Sequence, residues 1–319
     1  MEHVRINERP TLRAPVLIVA FAGWNDAAEV ATTAARLVAR QLDGRRFATL
    51  DAEDFYVFTE TRPTVKIVGG NQRRIDWPEN EFFAVENPSG DRDFLVVVGV
   101  EPQLRWRTFA KEVLDVCEDL GVRLMVGLGG LLADVAHTLP PKFTGSATDP
   151  DLHRRLRGLQ VTGSRYEGPT GILGVLTAAA RERGIASASI WGNVPHYISS
   201  TFNPRVALGL LRQVSQLLDI PLEFGDLERQ AETFDAEVSE VISNNPEVAE
   251  YVRQLEQRQG RRRRRGPESP QQTELPSSEQ LIQELEAFLK RQPPITPEDD
   301  DEQDENDEDD EEEEEEKKS

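Results

Sequence analysis

The residues best placed to do chemistry stand just past short, wholly apolar runs. Asn25 and Asp26 follow the run 16–21, and Glu101 and Arg105 follow Phe94-Leu-Val-Val-Val98. Gly129 and Gly130 follow 123–126, and Asn193 and His196 follow 186–191. Thr170 lies in Gly168-Pro-Thr-Gly171, which opens a helical pattern. Together these offer carboxylates, an arginine, an imidazole and backbone donors at helix starts, the ingredients of a small-molecule pocket with catalysis in it. Each also has a plainer reading. Asp26, with Glu29 three residues on, has capping-box-like spacing. Glu101 favours a helix amino end, and Arg105 pairs with Glu101. Gly127-Leu-Gly-Gly130 reads as a tight strand exit, because the third glycine of a dinucleotide loop is replaced by Leu132.

Other chemistries find less support. Four histidines and one cysteine show no zinc-type spacing, and the acidic runs lack the glycine and closing glutamate of a calcium loop, so no metal and no cofactor is expected. Cys117 sits on the apolar stripe of its helix, where an inert thiol is the expectation, and a single cysteine forms no intramolecular disulfide. Thr162-Gly-Ser-Arg165 lacks the second glycine of a nucleophile elbow.

The elements that must position the rim residues are strands without polar alternation, each leading into an amphipathic helix. Strands of that kind are covered on both faces, which predicts a three-layer α/β/α domain with a mainly parallel sheet. In such a sheet, ligand sites gather at the carboxyl ends of strands. Between 50 and 85 the pattern shifts to short β-rich pieces, Tyr56-Val-Phe58, Thr64 to Val68 and Glu81 to Val85, read as antiparallel or edge material. Asn203-Pro204 starts a strongly apolar helix to Leu218, central in the core or half-buried in an oligomer interface.

The expected organisation is an α/β/α domain over 1–224, a helical hairpin over 225–259, and a basic, proline-containing linker over 260–277. A short amphipathic helix follows over 278–292, then a disordered acidic tail over 293–319. Of the net charge of −21, −15 falls on residues 298–319, so the body is mildly acidic and nucleic acid is not an expected partner. The five arginines 261–265 stand without interleaved aromatics and read as a counterweight to the tail. No apolar run reaches ~18 residues, which points away from the membrane and toward the cytoplasm.

Four segments in order resemble motifs of the PAC2 family, the relatives of proteasome assembly chaperone 2, in its actinobacterial branch. They are Pro15-Val-Leu-Ile-Val-Ala-Phe-Ala-Gly-Trp-Asn-Asp-Ala-Ala28, Glu101-Pro-Gln-Leu-Arg-Trp-Arg-Thr-Phe109, Gly168-Pro-Thr-Gly-Ile-Leu-Gly-Val-Leu176, and Val194-Pro-His-Tyr197 with the helix after it. The resemblance spans roughly 14–258. It implies a nucleoside-phosphorylase-like fold, self-association, and a non-catalytic, proteasome-related role in protein assembly or interaction. Some relatives dock on the proteasome with a C-terminal hydrophobic-Tyr-any tripeptide, whereas this sequence ends Lys317-Lys318-Ser319. The alternative is an enzyme: a nucleoside- or phosphate-handling hydrolase, or an ATP-dependent carboxylate–amine ligase. A ligase of the ATP-grasp kind would need a lysine pair and clustered carboxylates, and residues 1–260 hold only Lys66, Lys111 and Lys142.

Overall fold

Seven consecutive apolar residues, Val16–Ala22, leave no side of the strand for water, and the structure shows why. In the computed structural model, which describes residues 1–69, 72–199 and 201–265, Val16, Ile18 and Ala20 enter one core while Leu17, Val19 and Phe21 enter another. The strand is β2, after β1 (Val4–Ile6), and helices cover both of its faces. α1 (Val30–Gln41) and α5 (Pro204–Leu218) fill the first core, and α2 (Trp106–Asp119) and α4 (Ile172–Glu182) the second.

The remaining elements follow in chain order: β3 (Arg45–Leu50), β4 (Thr64–Val68), β5 (Gln72–Asp76), β6 (Asn80–Val85) and β7 (Phe94–Val100). Beyond α2 come β8 (Leu124–Ala133), β9 (Phe143–Ala147), α3 (Pro150–Gly158), β10 (Thr162–Gly163), then α4 and β11 (Ala186–Pro195). After α5 the chain ends its described course in α6 (Gly225–Ser243) and α7 (Pro246–Arg265). One sheet has the order β1-β3-β6-β7-β2-β8-β11-β9-β10, and β4 and β5 pair separately.

The α/β expectation holds, but the mainly parallel sheet is narrowed to its centre. β7, β2, β8 and β11 run parallel. On one flank β6 is antiparallel to β7, β3 to β6 and β1 to β3; on the other β9 is antiparallel to β11. The half-polar flanking strands, such as Arg45–Leu50 with its exposed first residues, match the one-sided burial antiparallel strands tolerate.

Three local expectations are corrected. Gly127-Leu-Gly-Gly130 is no strand exit but lies inside β8. A Cβ on Gly129 would sit 2.2 Å from the Trp191 ring, and one on Gly130 would sit 2.6 Å from Val30 Cγ2, so these positions let neighbouring groups press onto the sheet. Residues 56–58 form no strand, Tyr56 and Val57 being irregular between turns at 53–55 and 58–60; Phe55 and Tyr56 are buried, and Phe58 meets Trp77 edge-on at 4.9 Å. α7 continues through the arginine run to Arg265, where a linker from 260 was expected. The helix at 278–292 and the tail at 293–319 lie outside the described residues.

Of the two options for α5, the core is the one realised. Nine of its residues are buried, and it packs against α1, α6 and β11. Asn203 caps it, its Oδ1 accepting the Val206 N–H at 3.0 Å, with Pro204 at the first turn. α6 and α7 close a third, smaller core in which Phe234, Val238, Val252 and Leu255 meet Ala136, Tyr197 and Ile198.

Candidate functional site

The rim at the carboxyl ends of β2, β7 and β8 is built, but its polar groups are turned on one another. Asn25, just past β2, is buried, and its Nδ2 donates to Glu101 Oε1 at 2.5 Å. The same oxygen accepts the Ile172 N–H at 2.8 Å, so the carboxylate of Glu101 caps the amino end of α4. Gly171 makes this possible: a Cβ there would lie 2.3 Å from Asn25 Oδ1 and 2.7 Å from Glu101 Oε1. Thr170 borders the same helix start, close against Gly174. The place where a phosphate would meet the helix amino end is thus filled by the chain's own carboxylate.

Asp26 does the equivalent at α1. Ala28 and Glu29 take left-handed backbone conformations, and the chain bends so that Asp26 reaches past them. Its Oδ1 accepts from Ala31 N at 2.6 Å and its Oδ2 from Thr32 N at 3.1 Å and from the Thr32 hydroxyl. The capping-box expectation with Glu29 is therefore replaced by a longer reach. Burial raises the carboxyl pKa of Asp26, against the lowering by its bonds from Thr32 and Ala31. Gly130 is tied to the same turn, its N–H donating to Asn25 O at 2.8 Å, and Gly129 lies beneath Trp191.

The other candidates lie apart. Arg105, whose backbone is left-handed at the start of α2, pairs with Asp54 at 3.0 Å rather than with Glu101. His196 bonds Tyr251 of α7 through Nε2 at 3.3 Å and faces Ala133 O through Nδ1 at 3.4 Å. Asn193 lies within β11 and lines a cavity of about 20 Å³ with His137, Arg205 and Asp235, room for about one water molecule. Asn25, Asp26, Glu101, Gly130 and Thr170 are thus brought together, while Arg105, Asn193 and His196 are not.

That cavity holds groups the sequence did not single out as a set. His137 shares a 2.8 Å contact between Nδ1 and the Tyr197 hydroxyl, which also accepts the His137 N–H. Burial, assisted by Arg205 and opposed by Glu256, lowers the His137 pKa to about 4. Arg205 ion-pairs with Asp235, whose pKa burial raises against that arginine. Cys117 is fully buried, and its thiol is pushed up to about 12, as expected of an inert position.

This end of the sheet exposes several large apolar side chains. Ten large apolar side chains are exposed among the described residues. Trp24 (64 %) follows β2, Leu104 (45 %) follows β7, and Leu132 (52 %) ends β8. Tyr166 (65 %) joins them through its hydroxyl, which donates to Pro169 O at 2.9 Å, two residues from Gly171. β3 runs in the direction of β7, so the β4–β5 hairpin inserted after it leaves from the same end, bringing Val65, Ile67, Ile75 and Trp77. The connecting segment is fastened there, Phe55 O accepting from the N–H groups of Gln103 and Leu104. The missed signal was the alternation Val65, Ile67 in a strand with no buried face.

The PAC2 family model matches residues 20–242. The chain belongs to the PAC2 family. A PAC2 family protein from Streptomyces avermitilis is 42% identical, covering 75% of this chain and 99% of its own, with a TM-score of 0.68. The proteasome-assembly chaperone homologue Rv2125 of Mycobacterium tuberculosis is 39% identical over 74% of this chain and 99% of its own, at TM-score 0.67. PbaB of Pyrococcus furiosus, an archaeal proteasome activator, shares the fold at 21% identity and TM-score 0.61, over 75% of this chain and 97% of its own. Among curated proteins none matches. The actinobacterial PAC2 resemblance read from the four motifs is therefore correct.

Proposed function

We propose that this PAC2 protein is a non-catalytic assembly or interaction factor that engages proteasome subunits through the apolar end of its sheet. The observation that carries this reading is the pairing of two facts at one place. The polar rim groups Asn25, Asp26 and Glu101 are consumed in holding helix starts, while Trp24, Leu104, Leu132 and Tyr166 beside them face water. Exposed aromatic and aliphatic side chains gathered on one surface mark a protein-docking face. The name of the 39% identical relative, a proteasome-assembly chaperone homologue, supplies the partner class.

On this reading the body, 1–224, is a nucleoside-phosphorylase-like sandwich put to binding use, with the hairpin 225–259 appended. The protein works in the cytoplasm and as a homo-oligomer. The test uses the full chain with purified proteasome α- and β-subunits from the same cell. Binding is expected, and Trp24→Ser or Tyr166→Ser should weaken it about tenfold or more while leaving the far-ultraviolet circular dichroism unchanged. If the full chain binds no subunit, and a nucleoside or nucleotide raises its Tm instead, the enzymatic alternative replaces this reading.

A further inference from the structure

The β4–β5 hairpin is a surface made for a cover. Its strands pair with each other and, among the described residues, with no other strand, leaving two open edges. Val65 faces Ile75 across the ladder and Ile67 shares their side, so one face is aliphatic, and these residues are 56 %, 52 % and 68 % exposed. A two-stranded hairpin is marginal alone in water and gains stability when its apolar face is packed. The hairpin is also cationic within an acidic chain: 62–76 holds Arg62, Lys66, Arg73 and Arg74 against Asp76 alone. Asp76 is shared by Lys66 at 3.2 Å and Arg74 at 2.9 Å, and neither Arg62 nor Arg73 has a carboxylate partner among the described residues.

We propose that residues 278–319 of the same chain dock on this hairpin. The segment carries the complementary chemistry in one stretch. Leu281, Ile282, Leu285, Phe288 and Leu289 recur at helical spacing, and 17 acidic residues follow within 298–319. The apolar stripe matches Val65, Ile67 and Ile75, and the acidic run matches the cations around them. Tyr251 of α7 meets His196 past β11, and the chain leaves α7 at Arg265. The twelve residues between Arg265 and Ser278 reach up to ~40 Å, comparable with the diameter of a body this size. A tethered segment acts at an effective concentration near millimolar, which favours the chain's own tail over a second copy at micromolar protein. The arginines 261–265 offer the tail charge but no apolar run in the sequence for the stripe at 281–289.

The test is hydrogen–deuterium exchange on the full chain. Changing Leu281, Leu285 and Phe288 together to Ser should speed exchange at 62–76 about tenfold or more and leave β2 and β7 unchanged. A photo-crosslinking residue placed at position 67 should join the 278–291 peptide within one chain, at a yield independent of protein concentration. Unaltered exchange at 62–76, or crosslinks that join two copies, would overturn the proposal. The docking role is read separately. If Trp24→Ser weakens subunit binding while 62–76 does not respond to the tail, only the cover fails. If 62–76 responds but no subunit binds, the docking role fails and the cover stands as a contact without that partner.

Discussion

Glu101 and Asp26 are each placed where a ligand's negative charge could have gone. Glu101 accepts the Ile172 N–H and the Asn25 amide, so Glu101→Ala leaves buried donors without an acceptor. A loss of about 1–3 kcal/mol is expected in urea unfolding. Gly171→Ala should cost about as much for a different reason, since its methyl group would force Asn25 and Glu101 apart. His137 supplies a pH dependence with a definite sign. Its imidazole is held near pKa 4 when folded and returns toward 6.5 when unfolded. The unfolded chain therefore binds the proton first, and stability present above pH 6.5 is lost as the pH falls toward 4. Between pH 6.5 and 5, before carboxylates dominate, His137→Gln should flatten the slope of unfolding free energy against pH.

At the scale of elements, two helices with different caps give a graded comparison. Asn203→Ala removes one bond, to Val206 N, and should cost about 1 kcal/mol. Asp26→Ala removes acceptors from two backbone N–H groups and a hydroxyl, all buried, and should cost more, toward 2 kcal/mol or above, in the same denaturation series. The sequence made β2 and β7 legible through unbroken apolar runs, and α5 through Asn203-Pro204. It hid the extent of β8, because glycines that usually punctuate a chain serve here to admit Trp191 and the turn at 27–30. The direction of flanking strands was equally hidden, since β6 carries apolar residues on both sides of its alternation yet runs antiparallel to β7. Places just past apolar runs and at a helix start located the rim at Asn25, Glu101 and Thr170. Which rim groups touch was not legible there, because Arg105 finds its partner in Asp54, far off in sequence.

For the whole molecule, the exposed apolar side chains are unevenly placed. The carboxyl end of the parallel strands gathers Trp24, Leu104 and Leu132, and the inserted hairpin adds Val65, Ile67 and Ile75. No described helix is long and apolar enough to cross a membrane, and under the proposed docking role this apolar surface serves contacts between proteins. The placement of the indoles has an optical consequence. Of the four tryptophans, Trp24 and Trp77 stand on that end half-bare, whereas Trp106 bonds Pro102 O and Trp191 lies over Gly129. Any occupant that dries the surface should shift their emission to shorter wavelength and shield them from iodide. The protein thus carries its own unlabelled fluorescent gauge of occupancy.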